Sequence, residues 1–173
     1  MNDKIFYSII SVLIVGVVGF VALAPKPPQL ERTGTERENK GQQHLKPGET
    51  ISYNDPLPPT SGVHGPPVGW GDYTIPIPDE NVIHDMEHGG VYISYNPDLV
   101  NEEDVEKLRG LFFKPYSNSD FAPTKVVMAP RSENEAAIVF SSWDRNQTYE
   151  VFDEEQMINY YTTNVNKSPE IAG

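Results

Sequence analysis

Residues 5–24 form an uncharged, almost wholly apolar run, and beyond it the hydrophobic positions break into short groups separated by proline and polar residues. At about 1.5 Å per residue, a helix of that length crosses a hydrocarbon core of roughly 30 Å. The pattern therefore predicts one transmembrane helix over 5–24, with residues 1–4 as a short tail. Ala22-Leu-Ala24 has the form of a signal-peptidase site, but Pro25 directly after it hinders cleavage, so the segment is expected to stay as an anchor. Residues 25–46 are proline-rich and then rich in Glu, Arg, Gln and Gly. Such a composition buries too little apolar surface to order itself and predicts a flexible linker ahead of a domain over 47–173.

Within that domain the periodicity changes several times. Residues 50–53 read as a short strand, and proline density then forces an extended, stiff loop through Pro58-Pro59-Thr60-Ser61-Gly62-Val63-His64. Asp79 to His88 has helical spacing, with Asp79 placed to cap the first turn and Gly89 to take the left-handed position that ends it. The β-rich run at residues 91–95 follows at once, ended by Asn96-Pro97. Asn101 caps a helix over 102–113 with Val105, Leu108, Leu111 and Phe112 on one face, and Asp153 caps another over 154–164. Residues 125–129 and 137–143 read as strands joined by a polar turn. The expected fold class is α+β: a small antiparallel or mixed sheet with two helices on one face, proline-rich N-terminal loops wrapped over it, and one transmembrane helix in front.

The formal charge of −12 makes nucleic acid an unfavourable partner, because phosphate binding draws on clustered Lys and Arg. The chain has no cysteine, which removes disulfides, thiolate ligands and cysteine nucleophiles together. Phosphate-binding glycine loops and a Gly-x-Ser-x-Gly elbow are also missing. Any metal must then be held by imidazole, carboxylate or thioether.

Four histidines supply the candidate chemistry. His84 and His88 stand one helical turn apart and can close on one cation, which would also face the negative end of the helix dipole. His64 sits in the stiff loop, His44 closes the linker, and Met128 offers a thioether. Imidazoles with a thioether suit copper, whereas three imidazoles with a carboxylate or water suit zinc as well. Copper is the first expectation and zinc the alternative. His84-x-x-Glu87-His88 also matches the order of inverted zinc peptidases, in which the Glu activates water, so an HxxEH-type zinc hydrolase is the second reading. A non-catalytic envelope interaction module, with histidines bonded to backbone, is the third.

Gln43-His44, Tyr53-Asn54, Pro58-Pro59-Thr60-Ser61-Gly62-x-His64, Trp70-Gly71-x-Tyr73, His84-x-x-Glu87-His88-Gly89-Gly90-Val91, Ala129-Pro130 and Ser168-Pro169-Glu170 together resemble an uncharacterised family of prokaryotic membrane-anchored domains of unknown function. The resemblance implies one membrane segment followed by an exported domain. It puts all four histidines on motif positions, which draws His44 and His64 into one shared site. Basic residues after the apolar run (Lys26, Arg32, Arg37, Lys40) would by charge alone keep the domain in the cytoplasm; the signal-like order of the segment and the resemblance place it on the extracytoplasmic side. The expectation is a single-pass, membrane-anchored, extracytoplasmic domain holding one transition metal, first copper, through His64, His84 and His88, with His44 or Met128 completing the shell. Its role would be metal handling or redox support, with the membrane and the ion as its partners.

Overall fold

The computed structural model describes Tyr7 and residues 30–53, 55–113 and 124–170. All the elements below lie in the compact unit Glu31–Gly173. In chain order they are β1 (Thr35–Glu36), β2 (Gly71–Asp72), α1 (Asp79–Glu87), β3 (Val91–Tyr95), α2 (Glu102–Phe112), β4 (Val126–Pro130), β5 (Ile138–Ser142), β6 (Arg145–Tyr149) and α3 (Glu154–Asn164).

The strands form one sheet in the order β1-β6-β5-β3-β4-β2. β3 and β4 run parallel, as the intervening helix α2 requires, and β2 pairs parallel to β4; β5 is antiparallel to both β3 and β6, and β1 is antiparallel to β6. Alternation along the strands sends successive side chains to opposite faces. Val91, Ile93, Val126, Met128, Ile138 and Phe140 face α2 and α3, where they meet Val105, Leu108, Phe112, Met157 and Tyr160. Tyr92, Val127 and Ala129 face the other way, against Val82, Ile83 and Met86 of α1 and the ring of Trp143.

This corrects the expected fold class. Among the described residues the sheet is mixed, as one of the two alternatives had it, but six-stranded rather than small, and three helices cover it rather than two, with α1 on the face opposite α2 and α3. Three strands are missing from the sequence reading: the two-residue β1 and β2, and the longer β6, whose inward positions include Asn146, a polar residue no hydrophobic alternation would flag. Its amide donates to Ser141 Oγ at 2.7 Å and to the Pro58 carbonyl at 3.3 Å. Residues 50–53 form no strand. The predicted transmembrane helix over 5–24 lies, Tyr7 apart, outside the described residues, and no helix among the described residues is long and apolar enough to cross a membrane.

The linker expected over 25–46 is corrected from residue 31 onward. Arg32 Nε donates to Asn164 Oδ1 at 2.9 Å, the Thr33 and Thr163 hydroxyls are 2.9 Å apart, and Arg37 N–H donates to the Asp144 carbonyl at 2.8 Å. Polar side chains that find distant hydrogen-bond partners order this strap, which its apolar content could not do. It ends at His44, where an isolated parallel bridge joins it to His64.

Candidate metal centre

The strap and the proline-laced loop meet backbone to backbone. Gly62 N–H donates to the Gly41 carbonyl at 2.7 Å, His64 N–H to the Gln43 carbonyl at 2.9 Å, and Leu45 N–H to the His64 carbonyl at 2.7 Å. Gly62 makes the turn at φ +127°, a conformation that disfavours side chains, and the Tyr53 hydroxyl lies 2.8 Å from where a Cβ would stand. That hydroxyl donates to the Val63 carbonyl at 2.6 Å. The path of the loop up to His64 is thereby set.

Onward from His64 the loop is tied along α1. Gly65 N–H donates to the Glu80 carbonyl at 2.9 Å, Asn81 Nδ2 to the Pro66 carbonyl at 2.6 Å, and the Asp85 carboxylate accepts from Val68 and Gly69 N–H at 2.9 Å each. The start of α1 differs from expectation. Pro78, not Asp79, is the N-cap residue, with no side-chain cap. Asp79 instead accepts from Arg131, Nε to Oδ1 at 3.0 Å and to Oδ2 at 3.2 Å, and Nη2 to Oδ2 at 2.7 Å. Burial pushes the Asp79 carboxyl up, against the pull of the guanidinium.

At the other end, Gly89 takes φ +90° after the His88 C-cap. The Gly89 carbonyl accepts from Asn166 N–H at 2.8 Å and the Glu87 carbonyl from Glu170 N–H at 3.2 Å, so the tail docks on the histidine helix. A Cβ at Gly90 would run into the Trp70 ring.

These ties bring all four histidines into one cluster. Ring centroids lie 4.4 Å apart for His44 and His64, 5.0 Å for His44 and His84, 5.1 Å for His64 and His84, and 4.9 Å for His84 and His88. Ligand nitrogens of His44, His64 and His84 all lie within 4.8 Å of one another, and so do ligand atoms of His84, Glu87 and His88. Residues 64 and 84 are thus far inside the separation of about 10 Å beyond which ordinary bonds of about 2 Å to nitrogen could not join them.

Two of the rings are oriented by backbone carbonyls. His64 Nδ1 lies 2.9 Å from the Gly62 carbonyl and His84 Nδ1 lies 2.8 Å from the Gly65 carbonyl. A carbonyl accepts only, so each Nδ1 carries the proton and each Nε2 presents a lone pair. His64 is fully buried, and burial lowers its pKa, so the imidazole is neutral. Its Nε2 nevertheless stands 3.2 Å from Glu87 Oε2, a carboxylate oxygen as buried as itself, with His44 Nε2 3.8 Å from the same oxygen. An ion pair would need a proton on His64 Nε2 that its buried setting withholds. Among the described residues, His64 Nε2, both Glu87 oxygens and His88 Nδ1 are buried without a hydrogen-bond partner.

Glu87 is the residue that the sequence reading left out of the ligand set, having weighed it as a base. Its position three residues after His84, on the same side of the helix, was the available signal. Met128 is placed elsewhere. It packs with Val91, Ile93 and Val126 on the α2/α3 side of the sheet, while α1 covers the opposite face, so the thioether is not brought to the imidazoles. In the register it pairs with Ile93 of β3 and Asp72 of β2.

No curated protein and no solved structure matches this chain. A family model does match, over residues 44–172, a span that begins on His44, takes in all four histidines and Glu87, and reaches past the docked tail; the chain belongs to the family described as "Protein of unknown function (DUF3105)".

Proposed function

We propose that this domain binds one divalent transition-metal ion through the Nε2 atoms of His44, His64 and His84 and the carboxylate of Glu87, with His88 alongside. The reading is carried by one contact: a neutral imidazole lone pair and a carboxylate oxygen, both buried and unpaired, 3.2 Å apart. Left to themselves these groups repel, and each has given up water without compensation. A cation satisfies both at once. In a four-coordinate shell with bonds of about 2.0–2.2 Å, neighbouring ligand atoms stand from about 2.8 Å apart in a square plane to about 3.6 Å apart in a tetrahedron, a range that includes the spacing these two atoms already have. The carbonyls of Gly62 and Gly65 do the second part of the work by holding two imidazoles in the tautomer that can ligate.

Copper is the first choice of ion, now on different grounds. With Met128 on the far side of the sheet, the thioether argument for monovalent copper falls away. The remaining donors are nitrogen and oxygen, for which divalent copper binds more tightly than zinc. Zinc is the alternative. The wholly buried Glu87, turned to His64, suits a ligand better than a base that must face water, so the peptidase-like order of the motif gains no support from geometry. The role supported is metal handling.

The test is metal content after purification without a polyhistidine tag. About one equivalent is expected in the native chain and little in the double substitution His64→Ala plus Glu87→Gln. Full stoichiometric metal in that variant, or in His84→Ala plus His88→Ala, discards the site. Electron paramagnetic resonance of the copper-loaded protein should show coupling to several nitrogens.

A further inference from the structure

We infer that His44 is the exchange ligand of this centre, the one donor that lets go so the ion can be passed to an acceptor, and that the domain delivers metal rather than storing it. The inference rests on the metal-binding reading above and assigns the path by which the ion comes and goes. Its basis is an asymmetry among the ligands. His64 is fully buried and His84 partly so, and the Nδ1 of each is held by a loop carbonyl. The His44 side chain is 55% exposed, and among the described residues no hydrogen bond holds its ring. Its backbone is clamped on both sides, since the Gln43 carbonyl accepts from His64 N–H and Leu45 N–H donates to the His64 carbonyl. The ring can therefore turn about its own side-chain torsions without moving the strap.

The consequence is an ordered exchange. His44 swings outward and its nitrogen–metal bond breaks; a donor atom from the acceptor takes the freed position. Only then do the buried bonds to His64, His84 and Glu87 yield. No electron moves, and the charge of the ion is unchanged. The acceptor needs one accessible imidazole, thiolate or carboxylate to start, and it approaches from the His44 side, because the His64 side is closed by protein.

Copper-loaded protein mixed with excess EDTA in a stopped-flow instrument tests this. The native chain should lose its ion at a rate that rises with EDTA and then saturates at the rate of His44 detachment. His44→Ala removes one donor, so it should bind copper more weakly but still take up about one equivalent at saturating copper; failure to load would make His44 indispensable to the site and overturn the inference. The loaded variant should release the ion at least tenfold faster, with a rate that stays first-order in EDTA because the position is already open. Saturation that persists in His44→Ala, or release within twofold of the native rate, would mean that another ligand leaves first and overturns the inference. Absence of bound metal in the native chain would overturn the preceding proposal itself.

Discussion

The two faces of the sheet are built on opposite principles. The α2/α3 face is an ordinary apolar interior, in which Leu108, Phe140, Met128 and Met157 are fully or almost fully buried and contribute through area removed from water. The α1 face buries Val82, Ile83 and Met86 as well, but beside them it buries Asp85, Glu87, His64 and Arg131 and leaves the Asp79 side chain only 9% exposed. Charge taken out of water must be paired or must hold a ligand. Asp79 has Arg131 and Asp85 has two loop amides, whereas the Glu87 carboxylate has no hydrogen-bond partner among the described residues. The lesson is that one face serves stability through apolar burial, while the other buries polar and charged groups that need specific partners or, on the reading proposed above, an ion.

The largest effect that tests this comparison comes from breaking a pair on the polar face. Arg131→Met leaves Asp79 buried alone and also frees the Asp55 carbonyl and Asn134 side chain it holds, so urea unfolding should show a loss of about 3–5 kcal/mol. On the apolar face, Leu108→Ala should cost about 2–5 kcal/mol and yet leave metal stoichiometry at its native value. A change in stoichiometry there would mean the faces are not independent.

Removing the metal with a chelator should lower stability by about 2.7 kcal/mol relative to protein held at a free-ion concentration a hundredfold above Kd. Melting curves should then reveal an inversion. Glu87→Gln should raise the stability of the metal-free protein by about 1 kcal/mol, because an amide N–H can donate to His64 Nε2, while it lowers that of the metal-loaded protein. An interaction module whose histidines serve only as hydrogen-bonding groups predicts no dependence on metal at all.

Met128→Leu should leave both copper content and the resonance spectrum as they are and shift stability by no more than about 1.5 kcal/mol, as a volume-conserving exchange in a core does. Loss of the ion in that variant would place the thioether in the shell after all. The smallest effect lies at the start of α2. Burial alone would raise the Asp104 carboxyl, but hydrogen bonds from Phe152 N–H, Lys107 and Asn101 outweigh it and hold the group below the ordinary carboxylate range. The contribution is therefore fully present above that range and is lost as pH falls through the depressed value. Asp104→Asn should flatten the acid limb of a plot of melting temperature against pH and leave the neutral region little changed.

Much of the scaffold was legible because it is local. The helix caps at Asn101 and Asp153 accept from Asp104 and Gln156 N–H as their side chains predict, β3 covers the residues its β-branched and aromatic run marks, and Gly89 ends α1 where its lack of a Cβ allows. What escaped was non-local. Arg32 and Thr33 look like solvated linker residues until Thr163 and Asn164, some 130 positions away, are seen to receive them. Asn146 looks like a loop residue until Ser141 and the Pro58 carbonyl close around it. Met128 looks like a soft ligand until strand register turns it toward α2 and α3.

By itself the chain determined that His84 and His88 share a helical turn, because helix periodicity acts over four residues and needs no fold to express it. Only the tertiary structure decided that Glu87 faces His64, that carbonyls 62 and 65 set the tautomers, and that His44 closes the cluster from outside. Apart from the local contact of His64 with the Gly62 carbonyl, those relations join positions 19 to 43 apart, and their distances depend on how a proline-laced loop is tied along α1 by hydrogen bonds that no sequence pattern encodes.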